Sequence, residues 1–188
     1  SKLKPILDRN KMIMNLPIID KVIQKKILNE LINAFGGRFY EVIIGGAAFN
    51  PEVEKFFRKI GLPFTVGYGM TECAPIICYA DWKDAKLYSC GKVALNMSMK
   101  IDSSDPHNIP GEVLVKGPNV FLGYYKNDDA TKSVIGDDDW FHTGDMGVMD
   151  EEGYLFLKGR SKCMILGPSG QNIYPEEIEG VVNNVTYV

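Results

Sequence analysis

The stretch FYEVIIGGAAFNPEVEKFFRKIGLPFTVGYGMTE, residues 39–72, decides the fold. Phe39 to Ile44 is short, β-branched and apolar, and it runs into the small-residue turn Gly45, Gly46, Ala47, Ala48, the pattern of a buried strand that ends in a loop. Asn50 offers an N-cap, Pro51 suits the first helical position, and Glu52 and Glu54 complement the positive helix end. With Val53, Phe56, Phe57 and Ile60 as an inner face before Gly61, the spacing predicts a helix over about 51–60. Pro63 to Val66 reads as a second strand entering Gly67, Tyr68 and Gly69. Strand, helix and strand in so short a stretch make a βαβ unit, with parallel strands and a right-handed crossover. Its two strand-end loops open on one edge, where open α/β sheets place their ligands, so the Gly46 and Tyr68 loops should face one pocket.

Upstream, Val22, Ile23, Ile27, Leu28, Leu31, Ile32 and Phe35 recur at helical spacing and predict an amphipathic helix from Pro17 to Phe35, stopped by Gly36 and Gly37. Downstream of Ser89 the texture changes to short alternating runs such as Glu112–Lys116 and Tyr154–Lys158, separated by Pro/Gly/Asp turns: a β-rich, mostly antiparallel subdomain. After Arg160 a hairpin is expected around Gly167 to Gly170. A helix should then begin at Pro175, with Ile178, Val181 and Val182 inward.

The chain has 188 residues, 45% hydrophobic, 24% charged and 11% aromatic, room for one domain and part of a second with a sizeable core. Lys plus Arg is 21 against 24 Asp plus Glu; the net charge of −3 supplies no general attraction to nucleic acid or anionic lipid. The longest apolar run, Val42 to Phe49, is far short of the roughly 20 residues that cross a bilayer, and charges at Lys2, Lys4, Asp8, Arg9 and Lys11 break up any signal peptide. Cys73, Cys78, Cys90 and Cys163 show no CxxC spacing and have only His107 and His142 as companions, so they read as reduced thiols of a cytoplasmic protein, with Cys163 as a small buried residue.

Three segments carry chemistry. Tyr68 to Glu72 (YGMTE) sets an aromatic face that can stack on a purine, a glycine that lets backbone approach closely, a hydroxyl for a phosphoryl oxygen and a carboxylate for Mg²⁺; a glycine-rich turn with a surface Thr-Glu pair is the plainer reading. Trp140 to Asp145 (WFHTGD) is an aromatic run expected to end in a turn presenting a carboxylate, matched to the vicinal diol of a ribose or simply an Asp turn between strands. Gly159 to Lys162 (GRSK) is a basic element whose Arg160 could reach the same ribose or a phosphate, or remain solvated. Asp137, Asp138 and Asp139 read as a solvated turn, His142 as a residue that orients its turn, and His107 shows no evident partner.

In this order and spacing the segments resemble the adenylate-forming superfamily of acyl-CoA synthetases, luciferases and adenylation domains. The match runs through GGAAF (45–49), GYGMTE (67–72), GEVLVKGPNVFLGYY (111–125), WFHTGD (140–145), GRSK (159–162) and GQNIYPEEIE (170–179). The FFRKIGLPF stretch, the Gly-Pro-Asn-Val-Phe turn and His142 in place of a common Arg look most like bacterial-type long-chain fatty acyl-CoA synthetases. The resemblance implies a ligase that makes acyl-AMP and pyrophosphate from a fatty acid and ATP, then passes the acyl group to coenzyme A. It implies nucleotide binding by Gly46, Ala47, Ala48, Gly67, Tyr68, Gly69, Met70, Thr71, Asp145 and Arg160, catalytic roles for Thr71 and Glu72, Mg²⁺ at Glu72 and a hinge at Lys162. The implied fold is α/β: the end of a βαβ parallel-sheet subdomain over residues 1–88, a β-rich, barrel-like subdomain over 89–161, and the hinge and incomplete start of a small α+β domain over 162–188. Small molecules are the expected partners, with no nucleic acid, and peripheral membrane association of the full protein is compatible with the family.

Two departures accompany the resemblance. The Ser/Thr/Gly-rich phosphate loop with its lysine, and the lysine near the end of the carboxyl-terminal domain, are not in this sequence. A middle segment of a larger enzyme is therefore expected, inactive alone. The other readings are an adenylation module that loads a carrier protein and a homologue that binds AMP without catalysis.

Overall fold

The computed structural model describes residues 17–168, 172–182 and 185. Helix α1 (Pro17–Ala34) leads to strand β1 (Val42–Ile44), helix α2 (Pro51–Ile60) and strand β2 (Phe64–Val66). β1 and β2 pair in parallel, Val42 opposite Phe64 and Ile44 opposite Val66, so the βαβ unit forms as expected. Local chemistry explains α2. The Asn50 side chain accepts from the Glu52 and Val53 amides, Pro51 opens the helix, and Gly61 closes it at φ 76°, a left-handed position that a residue with a Cβ adopts only at a cost. Phe64 is fully buried in the core of this unit, where its ring meets Phe57 edge-on at 5.4 Å.

The chain then enters strands β3 (Tyr68–Gly69), β4 (Ile76–Tyr79) and β5 (Lys92–Val93), an antiparallel sheet in that order. A second antiparallel sheet runs β6 (Ser98–Asp102), β7 (Gly111–Lys116), β8 (Phe141–Met149) and β9 (Leu155–Arg160), with helix α3 (Asp128–Val134) before β8. Tyr68, Ile77, Cys78, Val113, Val115, Phe141 and Leu155 from the two sheets share one buried core. Finally β10 (Ile165–Leu166) and β11 (Asn172–Ile173) form an antiparallel pair before helix α4 (Pro175–Val182).

Several expectations are corrected. The four-stranded sheet is open, with β6 and β9 as its edges, and no closed barrel forms among the described residues. The run from Trp140 does not end in a turn at Asp145: Phe141 opens a nine-residue strand that continues through it, because alternate residues Phe141, Thr143 and Asp145 face inward while β7 and β9 pair on either side. Ile178, Val181 and Val182 are exposed, since the described elements cover only the opposite side of α4, toward β9. Val22 on α1, Phe35 just past its end and Val53 on α2 are also exposed. Cys163 is exposed rather than buried, while the other three cysteines are buried; all four are free thiols. His107 does have a partner, Nδ1 lying 2.6 Å from the Met149 carbonyl oxygen. The hairpin's turn residues 169–171 and the segment 1–16 lie outside the described residues.

Glu54, which the sequence offers only as a charge near a helix end, is 3% exposed and accepts the Tyr88 amide at 2.8 Å. Burial raises its pKa, against the opposing pull of the Tyr88 bond and Arg58. A carboxyl raised on folding binds protons more tightly in the native state, so stability falls as pH rises from the ordinary glutamate value through the raised one. Glu54→Gln keeps an acceptor for Tyr88 and removes the charge. Its stability relative to wild type should therefore improve as the pH of urea denaturation is raised from 4 to 7; a difference independent of pH would refute the assignment.

Candidate nucleotide site

Because β1 and β2 are parallel, the loops that follow them lie side by side: Gly67 donates to the Ile44 carbonyl at 2.8 Å, and a Cβ on Gly45 would meet the Gly67 carbonyl at 3.3 Å. Gly45 to Ala48 are exposed on this edge. One residue on, Tyr68 enters β3, which carries it out of the parallel sheet and into the second core.

There it meets β8. The Tyr68 hydroxyl donates to Asp145 Oδ2 at 2.6 Å, although 77 residues separate them. Arg160, opposite Asp145 in the β8–β9 register, brings Nε to Oδ1 at 2.9 Å. The Asp145 amide donates to Thr143 Oγ1 at 3.0 Å, and that hydroxyl donates to the Val113 carbonyl at 2.8 Å. Register shifts between Met146 and Gly147, and Gly144 lies at φ 72°, so the strand is kinked where it presents the carboxylate. Asp145 is 8% exposed. Desolvation pushes its pKa up, while the Tyr68 bond and the Arg160 charge hold it down. Tyr68 is itself raised by burial and by Asp145, so its hydroxyl stays protonated and donates.

Among the described residues, each Asp145 oxygen thus has one donor. A carboxylate oxygen accepts two, which leaves each able to take a hydroxyl from outside. Arg160 is more than half exposed, so the open side of the pair faces solvent.

Thr71 and Glu72 sit on a short 3₁₀ turn (Thr71–Cys73) directly after β3. The Thr71 side is exposed and Glu72 is half-buried. Room at Gly69 is taken by the chain itself, since a Cβ there would collide with the Pro75 carbonyl, and the Met70 amide donates to that carbonyl at 2.8 Å. Among the described residues no group of three or more His, Cys, Asp and Glu is gathered for a metal. A single carboxylate beside a hydroxyl suits Mg²⁺, which takes one or two protein oxygens and fills the rest of its shell with phosphate and water. Lys162 is exposed on a second 3₁₀ turn (Ser161–Cys163), one residue past Ser161.

Sequence reasoning missed the residues that hold these ones in place. Glu112 accepts the Gly144 amide at 2.9 Å and sits 3.0 Å from His142 Nδ1, so His142 serves the strand through Glu112. Glu176 accepts the Arg160 amide at 3.2 Å. Tyr124 donates to Glu72 Oε1 at 3.0 Å. Spacing carries no sign of such contacts, and the only signal was membership of the quoted motifs.

The comparisons with known proteins agree with this architecture. The model of the AMP-binding enzyme family matches residues 11–125, and the chain belongs to that family. It is 39% identical over 168 residues to a 2-succinylbenzoate–CoA ligase of Bacillus cytotoxicus, covering 84% of this chain and 34% of that protein. A 2-succinylbenzoate–CoA ligase of Bacillus cereus is 38% identical over 168 residues, with the same coverage. The solved O-succinylbenzoate coenzyme A synthetase of Bacillus subtilis in complex with its acyl-adenylate intermediate matches with TM-score 0.72 at 28% identity, over 86% of this chain and 34% of that one. With ATP and magnesium ion bound, the same synthetase matches with TM-score 0.70 at 28% identity, over 85% and 35% of the two chains. The chain therefore spans about a third of the length of these relatives. They carry the family resemblance, but their names point to 2-succinylbenzoate and not to a long-chain fatty acid. No helix among the described residues is long and apolar enough to cross a membrane.

Tyr68→Phe isolates the central contact. It leaves Asp145 Oδ2 without its buried donor, so unfolding free energy should fall by about 1–3 kcal/mol at pH 7. The bond favours the ionised carboxylate, so the loss should shrink as pH drops and Asp145 protonates. Equal stability of variant and wild type at pH 7 would show that the bond does not hold the site.

Proposed function

We propose that these residues form the nucleotide-binding part of an ATP-dependent acid–CoA ligase. A substrate carboxylate attacks the α-phosphate of ATP, forming an acyl–phosphate anhydride and releasing pyrophosphate; the thiol of coenzyme A then displaces AMP. The observation that supports it most is the Asp145 carboxylate held between Tyr68 and Arg160.

On this reading the two ribose hydroxyls donate to Asp145, one to each oxygen, and Arg160 lies beside them. Charge-assisted bonds of this kind contribute roughly 1.5–3 kcal/mol each when shielded. Tyr68 has two parts to play. Its hydroxyl fixes Asp145, and contact with adenine is limited to the little surface that the residue keeps at 7% exposure. Gly46, Ala47 and Ala48 line the adenine and acyl side, with Gly67, Gly69 and Met70 shaping the adjoining backbone, and Thr71 reaches a phosphoryl oxygen. Glu72 would hold Mg²⁺, which when bound neutralises charge on the phosphates. No general base is required, because the attacking acid is already ionised at neutral pH. Lys162, exposed after Arg160, is the proposed hinge between residues 1–161, comprising the 1–88 and 89–161 subdomains, and a carboxyl-terminal domain that begins at 162. A cytoplasmic site of action belongs to the same proposal.

For the acid, the relatives favour 2-succinylbenzoate. FFRKIGLPF is part of the fatty-acyl resemblance, but Phe56 and Phe57 pack into the βαβ core and Arg58 Nη1 donates to the Trp82 carbonyl at 3.0 Å. Those side chains support the fold and say little about the acid.

Pyrophosphate exchange into ATP by the full-length protein, with 2-succinylbenzoate or a long-chain fatty acid, tests the reading. Acid-dependent exchange followed by CoA consumption is expected, with 2-succinylbenzoate preferred. Asp145→Ala should lower kcat/KM for ATP by about 100-fold or more, the loss of two charge-assisted bonds. AMP binding without exchange would favour a non-catalytic homologue, and acyl transfer only to a carrier protein would favour an adenylation module.

A further inference from the structure

We propose that Tyr124 is a positioning residue for Glu72, holding one carboxylate oxygen so that the other is aimed at the divalent cation that accompanies ATP. The inference rests on the reading of Glu72 given above. Its basis is the segment 117–125, GPNVFLGYY, which lies against the Thr71–Glu72 turn.

That segment is fastened to the Thr71–Glu72 turn at three points. Asn119 Nδ2 donates to the carbonyls of Cys73 and Ile76, at 2.6 and 3.0 Å. The Phe121 amide donates to the Glu72 carbonyl at 2.8 Å. The Tyr124 hydroxyl donates to Glu72 Oε1 at 3.0 Å. Two of these fix backbone, which any structural clamp would do. The third fixes the functional end of the side chain.

Tyr124 is well placed to impose an orientation. Its amide donates to Thr131 Oγ1 at 2.9 Å, and Gly123, at φ 143°, has no room for a Cβ against that same threonine. Its ring meets Phe121 edge-on at 4.8 Å, and Phe121 meets Phe141 edge-on at 5.6 Å. Phe141 is the first residue of β8, the strand that carries Asp145. The cation carboxylate and the ribose carboxylate are thereby referred to one rigid frame. A free glutamate side chain loses rotamer freedom when a ligand fixes it. Anchoring it beforehand through a stiff phenol removes part of that cost at the moment of binding.

Tyr124→Phe removes the hydroxyl and keeps the ring on Phe121. In the full-length protein, Mn²⁺ binding in the presence of ATP, followed by water-proton relaxation, should weaken by about 3- to 10-fold, the effect of one hydrogen bond. The Mg²⁺ concentration for half-maximal exchange should rise by the same factor, while metal-free ATP binding and Tm stay as in wild type. Added to Glu72→Gln, Tyr124→Phe should cause no further loss of Mn²⁺ affinity, because the two act through one contact. Unchanged Mn²⁺ affinity in Tyr124→Phe, or an equal loss in both backgrounds, would overturn the inference and leave the ligase reading standing. If wild type bound no Mn²⁺ with ATP, the assignment of Glu72 would fail and this inference with it.

Discussion

A carboxylate placed in the middle of a paired strand must find donors or give up its charge. Asp145 finds them on two elements that are far apart in sequence, Tyr68 at the exit of the parallel sheet and Arg160 at the end of β9. Burial works against its ionisation and the two donors work for it. That balance ties β3, β8 and β9 together: Tyr68 cannot reach Asp145 unless β2 delivers it past Gly67, and Arg160 cannot reach it unless β9 keeps its register with β8.

The surrounding structure follows from holding this pair still. Thr143 and Glu112 take up the polar backbone groups of the kinked strand around Gly144, where the ladder alone would leave them short. Glu176 carries the last described helix back to the Arg160 amide, so the residue that pairs with Asp145 is restrained from both sides. On the opposite flank the 117–125 segment braces the Thr71–Glu72 turn and rests on Phe141. Carboxylates, hydroxyl and guanidinium thus sit on strands and braced turns, the arrangement a site needs if binding is to involve little reordering.

Much of this was legible in the sequence, and the parts that were not share a cause. The βαβ unit could be read because its signals are local: an Asn-Pro helix start, a Gly stop and two β-branched runs. Tyr68, Asp145 and Arg160 could be proposed as companions because their motifs resemble one family, and the contact among them is what the fold supplies. Gly144-Asp145 has turn chemistry, so the sequence points to a turn at the end of the 140–145 run, whereas neighbouring strands on both sides decide the outcome. Ile178 and Val181 obey helical spacing, yet spacing names a face without naming what covers it. Glu54, Glu112, Tyr124 and Glu176 act through partners more than 15 residues away, where no periodicity reaches.

The central claim is that one adenosine lies against the carboxylate shared by Tyr68 and Arg160. A crystal structure of the full-length protein with AMP tests it most directly. The account predicts both ribose hydroxyls within about 2.5–3.0 Å of the Asp145 oxygens, with the Tyr68 and Arg160 contacts intact. AMP bound with its ribose away from Asp145, or Asp145 turned out of the pocket, would contradict it.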